Sequence, residues 1–279
     1  MSHISRRDAM LAIAATATAA SPSAAPSANF RPSRPIDVYA KIRASLRDER
    51  VAAWYRGQVF IALEGEIPQV VLGVEGFSFS RYVRQADGSW DTKLVEVGYF
   101  TDVDSGAIVD EIVNPLTGKR IKPQHFRSPV QAFLVREDGS VAASHKLQPP
   151  SKFSGRVWQP FRQGPQIWVN EDMLAKLTAD QLPPGVRVES ANRILTLGSM
   201  TTYCSAAVDV DNPRLANAPC TFHLQELSSL PGWFELGDVQ GKQMWRLSGR
   251  KLASAAEMPR PLHERIMRDH PLFIDQPDI

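Results

Sequence analysis

A mainly β fold is what this sequence predicts, and three observations carry that expectation. Apolar residues alternate with period two: Val51, Ala53, Tyr55, Val59, Ile61 and Leu63 share one face of Val51–Leu63, the spacing of a half-buried strand. Turn signals separate neighbouring stretches at Asp87-Gly88, Asp104-Ser105-Gly106, Asn114-Pro115-Leu116-Thr117-Gly118 and Asp138-Gly139, residue types that accept the backbone angles of tight turns. The 21 prolines oppose long helices, because each removes a backbone donor. Strand following strand across short turns makes an antiparallel meander, not alternating βαβ units. About ten strands exceed what a twisted open sheet holds comfortably. The meander is therefore expected to close into a lipocalin-like β-barrel with short terminal helices, which removes its exposed edges; a β-sandwich is the alternative.

From the N-terminus, Ser5-Arg6-Arg7 is followed by the apolar run Ala9–Ala20, which ends in small residues before Ser21-Pro22. Charged, apolar and small residues in that order make a signal peptide, and the paired arginines favour the twin-arginine route. Met1–Ala20 is read as this leader, 21–35 as a Pro/Ser/Ala-rich linker, and 36–279 as a single β-rich domain. The expected location is periplasmic or secreted, with the twin-arginine export machinery as a partner and no membrane contact in the mature form. A short helix is expected over Ile36–Glu49, where Ile36, Tyr39, Ile42, Arg43 and Leu46 recur at helical spacing. After Val51–Leu63, strands are expected at Gln69–Val83, Lys93–Thr101, Ala107–Val113, Val130–Arg136 and Val141–Ser144. Lys146–Gly164 reads as a long loop across a barrel mouth or an irregular excursion. Strands resume at Gln166–Val169, Arg187–Glu189, Arg193–Tyr203, Thr221–Ser228 and Lys242–Leu247. Glu171–Leu177 reads as a helical turn, and Leu262–His270 as a helix that Pro261 opens.

Charge excludes one class of partner. The chain carries 32 Lys and Arg against 30 Asp and Glu, with no run of like charges, so nucleic acid is not expected. No phosphate-cradling glycine motif, H-E-x-x-H or G-x-S-x-G is present, and no histidines sit at metal-ligand spacing, so neither cofactor nor metal is expected. Cys204 and Cys220 are symmetric about Asn212 within Asp209-Val210-Asp211-Asn212-Pro213. A hairpin centred there would bring them face to face, and an oxidising compartment would allow a disulfide; two unrelated buried thiols are the alternative.

Several polar residues stand on otherwise apolar faces. Glu75 alternates with Val71, Gly73, Phe77 and Phe79, where a carboxylate could have a raised pKa and act as acid or base; a salt bridge to Arg81 is its plain alternative. Tyr55 and Tyr99 are placed likewise. Glu75, Tyr55 and Tyr99 are the candidate catalytic residues. Arg81, Arg246, His125 and His145 are the candidate ligand-binding residues.

The chain also resembles an uncharacterised family of exported bacterial proteins, domain of unknown function number 1838. The matching stretches include Trp54-Tyr55-Arg56-Gly57, Gly98-Tyr99-Phe100-Thr101-Asp102, Asn114-Pro115-Leu116-Thr117-Gly118-Lys119, Asp209-Val210-Asp211-Asn212-Pro213, Trp233-Phe234-Glu235-Leu236-Gly237-Asp238 and Leu247-Ser248-Gly249-Arg250-Lys251-Leu252. They span nearly all of the mature chain. The resemblance implies twin-arginine export and assigns no reaction. Two functions fit the expected barrel. One is a cofactor-independent lyase, isomerase or hydrolase of a small lipophilic or aromatic compound; the other is a periplasmic carrier that holds such a ligand unchanged.

Overall fold

The computed structural model describes residues 29–144, 152–178, 194–237, 239–275 and 279. Its strands are β1 (Arg50–Leu63), β2 (Gln69–Arg84), β3 (Trp90–Thr101), β4 (Ile112–Val113), β5 (Arg120–Ile121), β6 (Phe126–Arg127), β7 (Gln131–Val135), β8 (Ser140–Ala143), β9 (Lys152–Val157), β10 (Phe161–Gln163), β11 (Gln166–Thr178), β12 (Ile194–Ala206), β13 (Thr221–Ser229) and β14 (Gly241–Leu252). The helices are α1 (Pro35–Arg43), α2 (Ala207–Asp211) and α3 (Arg260–Asp269).

The strands run antiparallel in the order β11-β12-β13-β14-β1-β2-β3-β7-β8-β9, and β9 pairs back onto β11. That last pairing closes a ten-stranded barrel, so the sandwich alternative is set aside. Closure satisfies the backbone groups an open edge would expose. Odd-numbered residues of β1 meet even-numbered residues of β2 and β3, and this register carries one face around the barrel as the inner wall. Tyr55, Gly76, Gly98 and Phe126 form one such inner row.

The two ends of the barrel are closed differently. At one end α1 buries Ile36, Tyr39 and Ile42 with Val51, Tyr82, Trp90, Val169 and Tyr203. Its C-terminal carbonyls are capped by a lysine from the wall: Lys251 Nζ donates to the carbonyls of Lys41 at 3.0 Å and Ala44 at 2.7 Å. A cation at a helix C-terminus meets the negative end of the helix dipole. At the other end Ile121, Leu230 and Phe234 pack on Val59, Ile61, Leu72 and Val74, and Asn114 Nδ2 donates to the Phe234 carbonyl at 2.6 Å. On the outside, α3 presses Leu262 and Ile266 against Ala52, Phe77, Phe79, Val95, Val97 and Tyr99.

Several expected elements differ. Glu171–Leu177 is the second half of β11, not a helical turn: it pairs with β12 on one side and β9 on the other, and two ladders outweigh a local preference. In Lys146–Gly164, the described part contains β9 and β10 in place of a loop over the mouth. Ala107–Val113 contributes only a bridge at Ile108 and the two-residue β4. The stretch around Asp209 is the short helix α2. Arg187–Glu189, like Met1–Ala20, lies outside the described residues.

Cys204 and Cys220 are free thiols, a correction of the expected disulfide. Cys204 pairs with Thr221, one residue away from the symmetric register the bond would need. A slip of one residue reverses the side-chain face, which sends Cys204 to the outer wall while Cys220 is buried in the core beneath α1.

Candidate functional site

The inner wall carries more ionisable groups than a packed core would hold. Tyr55 lies flat over Gly76, whose missing Cβ leaves the room: any side chain there would collide with the ring and hydroxyl of Tyr55. So placed, the Tyr55 hydroxyl donates to Glu96 Oε2 across two strands at 3.3 Å. From the opposite side of the barrel β13 contributes Glu226, register partner of Trp245. The Trp245 indole N–H is buried without a hydrogen-bond partner.

Enclosure sets the electrostatics here. Burial pushes the Glu226 carboxyl up to about 8, and the charge of nearby Glu96 pushes in the same direction. Burial also raises Glu96, against the opposing effects of the Tyr55 hydrogen bond and Arg43. Tyr55 is raised well above the ordinary phenol value by burial and by Glu96. Glu226 therefore keeps its proton at neutral pH, and Glu96 is shifted in the same direction. Yet Glu96, Glu226 and their inner-wall neighbours Leu94, Gln131, Phe133, Met173, Ser199 and Leu224 are half-buried, not fully buried.

A second cluster lies under α1. Glu171 accepts from Tyr39 at 2.8 Å and from Tyr203 at 2.7 Å. The Tyr39 hydroxyl hydrogen is directed at Glu171, so Tyr82 is the donor in the 2.9 Å bond between the two tyrosine hydroxyls. Arg43, from the last turn of α1, stands over the Tyr203 ring at 5.5 Å, its Nε buried and unpartnered. This cluster joins α1 to β2, β11 and β12, so it fastens the end plug as well as charging the interior.

The sequence-derived candidates divide between the two faces. Tyr55 points inward as expected. Glu75 and Tyr99 do not: they face each other across β2 and β3 on the outer wall. Glu75 accepts from the Trp54 indole at 2.8 Å, so its partner is not Arg81. Tyr99 is buried beneath α3 with the Arg265 guanidinium 5.2 Å from its ring centre; burial, then the Asp269 charge, pushes its hydroxyl up to about 12. Arg81 is on the outside, forked onto Asp48 at 2.5 and 2.9 Å. Arg246 is also outside, stacked on Phe60 at 4.9 Å. His125 accepts the Phe100 amide at Nδ1, 3.1 Å, and so turns Nε2–H toward Asp110 at 3.2 Å. Burial lowers its pKa, and its contacts are those of a neutral loop anchor. His145 lies outside the described residues.

Sequence reasoning missed Glu96, Glu226, Glu171 and Arg43. The signal available was parity: Glu96 alternates with Leu94 and Gly98, and Glu226 with Leu224, each with the same face as Tyr55 once the register is known. Among the described residues no group of three or more His, Cys, Asp or Glu side chains is arranged to hold a metal ion.

Comparison with known proteins bears on the family. A family model described as "Protein of unknown function (DUF1838)" matches residues 48–279. No functionally curated protein matches the chain. Among solved structures, the outer-membrane enzyme PagL is similar at 10% identity over 73% of this chain and 99% of its own, with a TM-score of 0.25. The β-domain of the Bordetella autotransporter BrkA is similar at 12% identity over 73% of this chain and 98% of its own, with a TM-score of 0.29.

Proposed function

The chain belongs to the DUF1838 family of proteins of unknown function, and from that premise we propose that its barrel is a cofactor-independent acid–base enzyme acting on a small lipophilic or aromatic compound held inside it. The observation that carries this reading is the enclosed carboxyl pair, Glu96 and Glu226, with Glu226 raised to about 8. A carboxyl that keeps its proton near neutrality is suited to give or take one in a reaction. The half-buried state of side chains that face inward supports an internal space beside the pair. Leu94, Phe133, Met173 and Leu224 would receive the apolar body of the substrate. Tyr55 acts through Glu96, which its hydroxyl holds in place. Clustered shifted carboxyls favour catalysis over carriage, because a carrier needs no proton donor at the centre of its cavity. The same proposal includes export by Met1–Ala20, which would place the reaction in the periplasm or outside the cell.

The test begins with saturable uptake of the apolar fluorophore N-phenyl-1-naphthylamine, which Leu224→Arg should abolish by filling the interior. Lipophilic extracts of the host are then incubated with wild type and with Glu226→Gln and resolved by mass. Wild type should convert one compound, with a rate that falls above about pH 8 as Glu226 loses its proton. Glu226→Gln should bind that compound and leave it unchanged. A compound retained but not converted by wild type would establish the carrier. Absence of any uptake would overturn both readings.

A further inference from the structure

The outer wall carries a second constellation that owes nothing to the barrel interior. Where β14 lies against β1, Arg250 stands opposite Trp54, Ser248 opposite Arg56, and Arg246 opposite Gln58. These positions all face outward, so Arg56 is the diagonal neighbour of both Arg250 and Arg246, with the Ser248 hydroxyl among them. Diagonal neighbours on one face of a sheet are about 7–8 Å apart, within joint reach of long side chains. A groove of ≈ 550 Å³ follows this diagonal and is bounded on its far side by Thr101, Asp102 and Val103. That volume suits a small organic ligand.

What separates this groove from an ordinary charged surface is how its side chains are held. Arg250 is neutralised by Glu257 at 3.1 Å, and Arg81 on the same wall by Asp48. Arg56 and Arg246 have no carboxylate within ion-pair distance among the described residues. They are nonetheless positioned. Arg246 lies on the Phe60 ring at 4.9 Å. The Arg56 guanidinium rests on Gly106, where φ is +69° and a side chain would collide with it. Trp54 is pinned by its indole bond to Glu75, which leaves the half-exposed ring available. Ser248 Oγ is 3.0 Å from His223 Nδ1. Asp102, the one acid on the rim, spends its Oδ1 on the amide and hydroxyl of Ser105. Two guanidinia are thus ordered by contacts other than direct ion pairs, with Glu75, the cross-strand neighbour of Arg56, bonded to Trp54, and such ordering lowers the entropy lost when a ligand binds.

We infer that this groove is a binding site for a phosphorylated organic molecule. The phosphoryl oxygens would bridge Arg56 and Arg246 with Ser248, and the organic part would lie on Trp54 and Val103. A guanidinium offers five N–H donors in a planar fork, and paired forks match a multiply charged tetrahedral anion better than a single carboxylate. The inference is independent of the interior site, so either can fail alone.

Phenyl phosphate is titrated into the full protein while the Ser248 amide and the Trp54 indole resonance are followed. Both should shift to saturation, and inorganic phosphate should bind more weakly for want of a ring to stack. Arg56→Ala and Arg246→Ala should each weaken phenyl phosphate about tenfold, the loss of one charge-assisted contact. Arg81→Ala, which removes a cation already paired, should leave affinity unchanged. If vesicles of phosphatidylcholine doped with phosphatidic acid carry the protein down in an Arg56- and Arg246-dependent way while phenyl phosphate does not bind, the phosphate belongs to a lipid headgroup. Equal weakening by Arg81→Ala, or no response to either probe, would overturn the proposal.

Discussion

Glu226 has a consequence for stability that does not depend on any substrate. Its folded pKa is raised from 4.5 to about 8. Below pH about 4.5 the carboxyl is protonated in both the folded and unfolded chain, and it adds no pH dependence. Between these values the unfolded chain releases the proton while the folded protein keeps it, so folding takes up a proton and stability falls as pH rises. Above about 8 both states are ionised and the slope levels off. Glu96, raised by the same enclosure, works in the same direction. Urea denaturation of wild type and Glu226→Gln across this range should show the variant gaining on wild type as pH increases. Parallel curves would mean that Glu226 is solvated in the folded protein. The acids chosen from sequence fare differently for a local reason. Glu75 sits on a strand whose two faces are both buried, and an apolar neighbourhood on such a strand does not distinguish the interior from the underside of a helix.

At the scale of elements, α1 depends on the wall that receives it. Lys251 is buried, and burial lowers its ammonium to about 7; its Nζ meets the carbonyl of Ala44 and shares that of Lys41 with the Ala218 amide. Lys251→Met preserves length and apolar contact but leaves the buried Ala44 carbonyl without its donor, a loss of about 2 kcal/mol. Chemical denaturation should show that loss, together with faster amide exchange over 36–43. Unchanged stability would mean that water replaces the amine. Helix α3 explains the continuous burial along β2: the outward residues Phe77 and Phe79 are covered by Leu262, Ile266 and Phe273, at 6.4 and 6.0 Å between the Phe273 ring and those two. The amphipathic spacing of Leu262 and Ile266 made that helix legible from sequence. Where its apolar face docks was not legible, because no local pattern names a distant partner. The reading of Glu171–Leu177 failed for a related reason. Helical spacing within seven residues is outweighed once the segment has ladders on both edges.

At the scale of the whole molecule, the described residues form a closed barrel, and export by Met1–Ala20 is part of the proposal. The export proposal rests on Arg6 and Arg7. Changing both to Lys keeps the charge of the leader and removes the paired guanidinia, so precursor should accumulate in the cytoplasm while the folded barrel is unaffected. Normal accumulation of the double variant outside the cytoplasm would remove the twin-arginine assignment. Some properties of this molecule follow from sequence alone. Period-two alternation, turn residues and strand number already require a closed or double-layered antiparallel β structure, because each is a local or counting property of the chain. Tyr55 could be assigned to the apolar face of its strand on the same ground, since it alternates with Val51, Ala53, Val59 and Ile61. Other properties belong to the tertiary structure. Which face of β2 and β3 looks inward, and hence that Glu96 meets Tyr55 while Glu75 meets Trp54, is decided by closure of β9 onto β11 and by where α3 lies. The one-residue register that parts Cys204 from Cys220 is decided by the pairing of β12 with β13. Alternation states only that the two faces of a strand differ. Which one is enclosed depends on contacts between residues far apart in the chain.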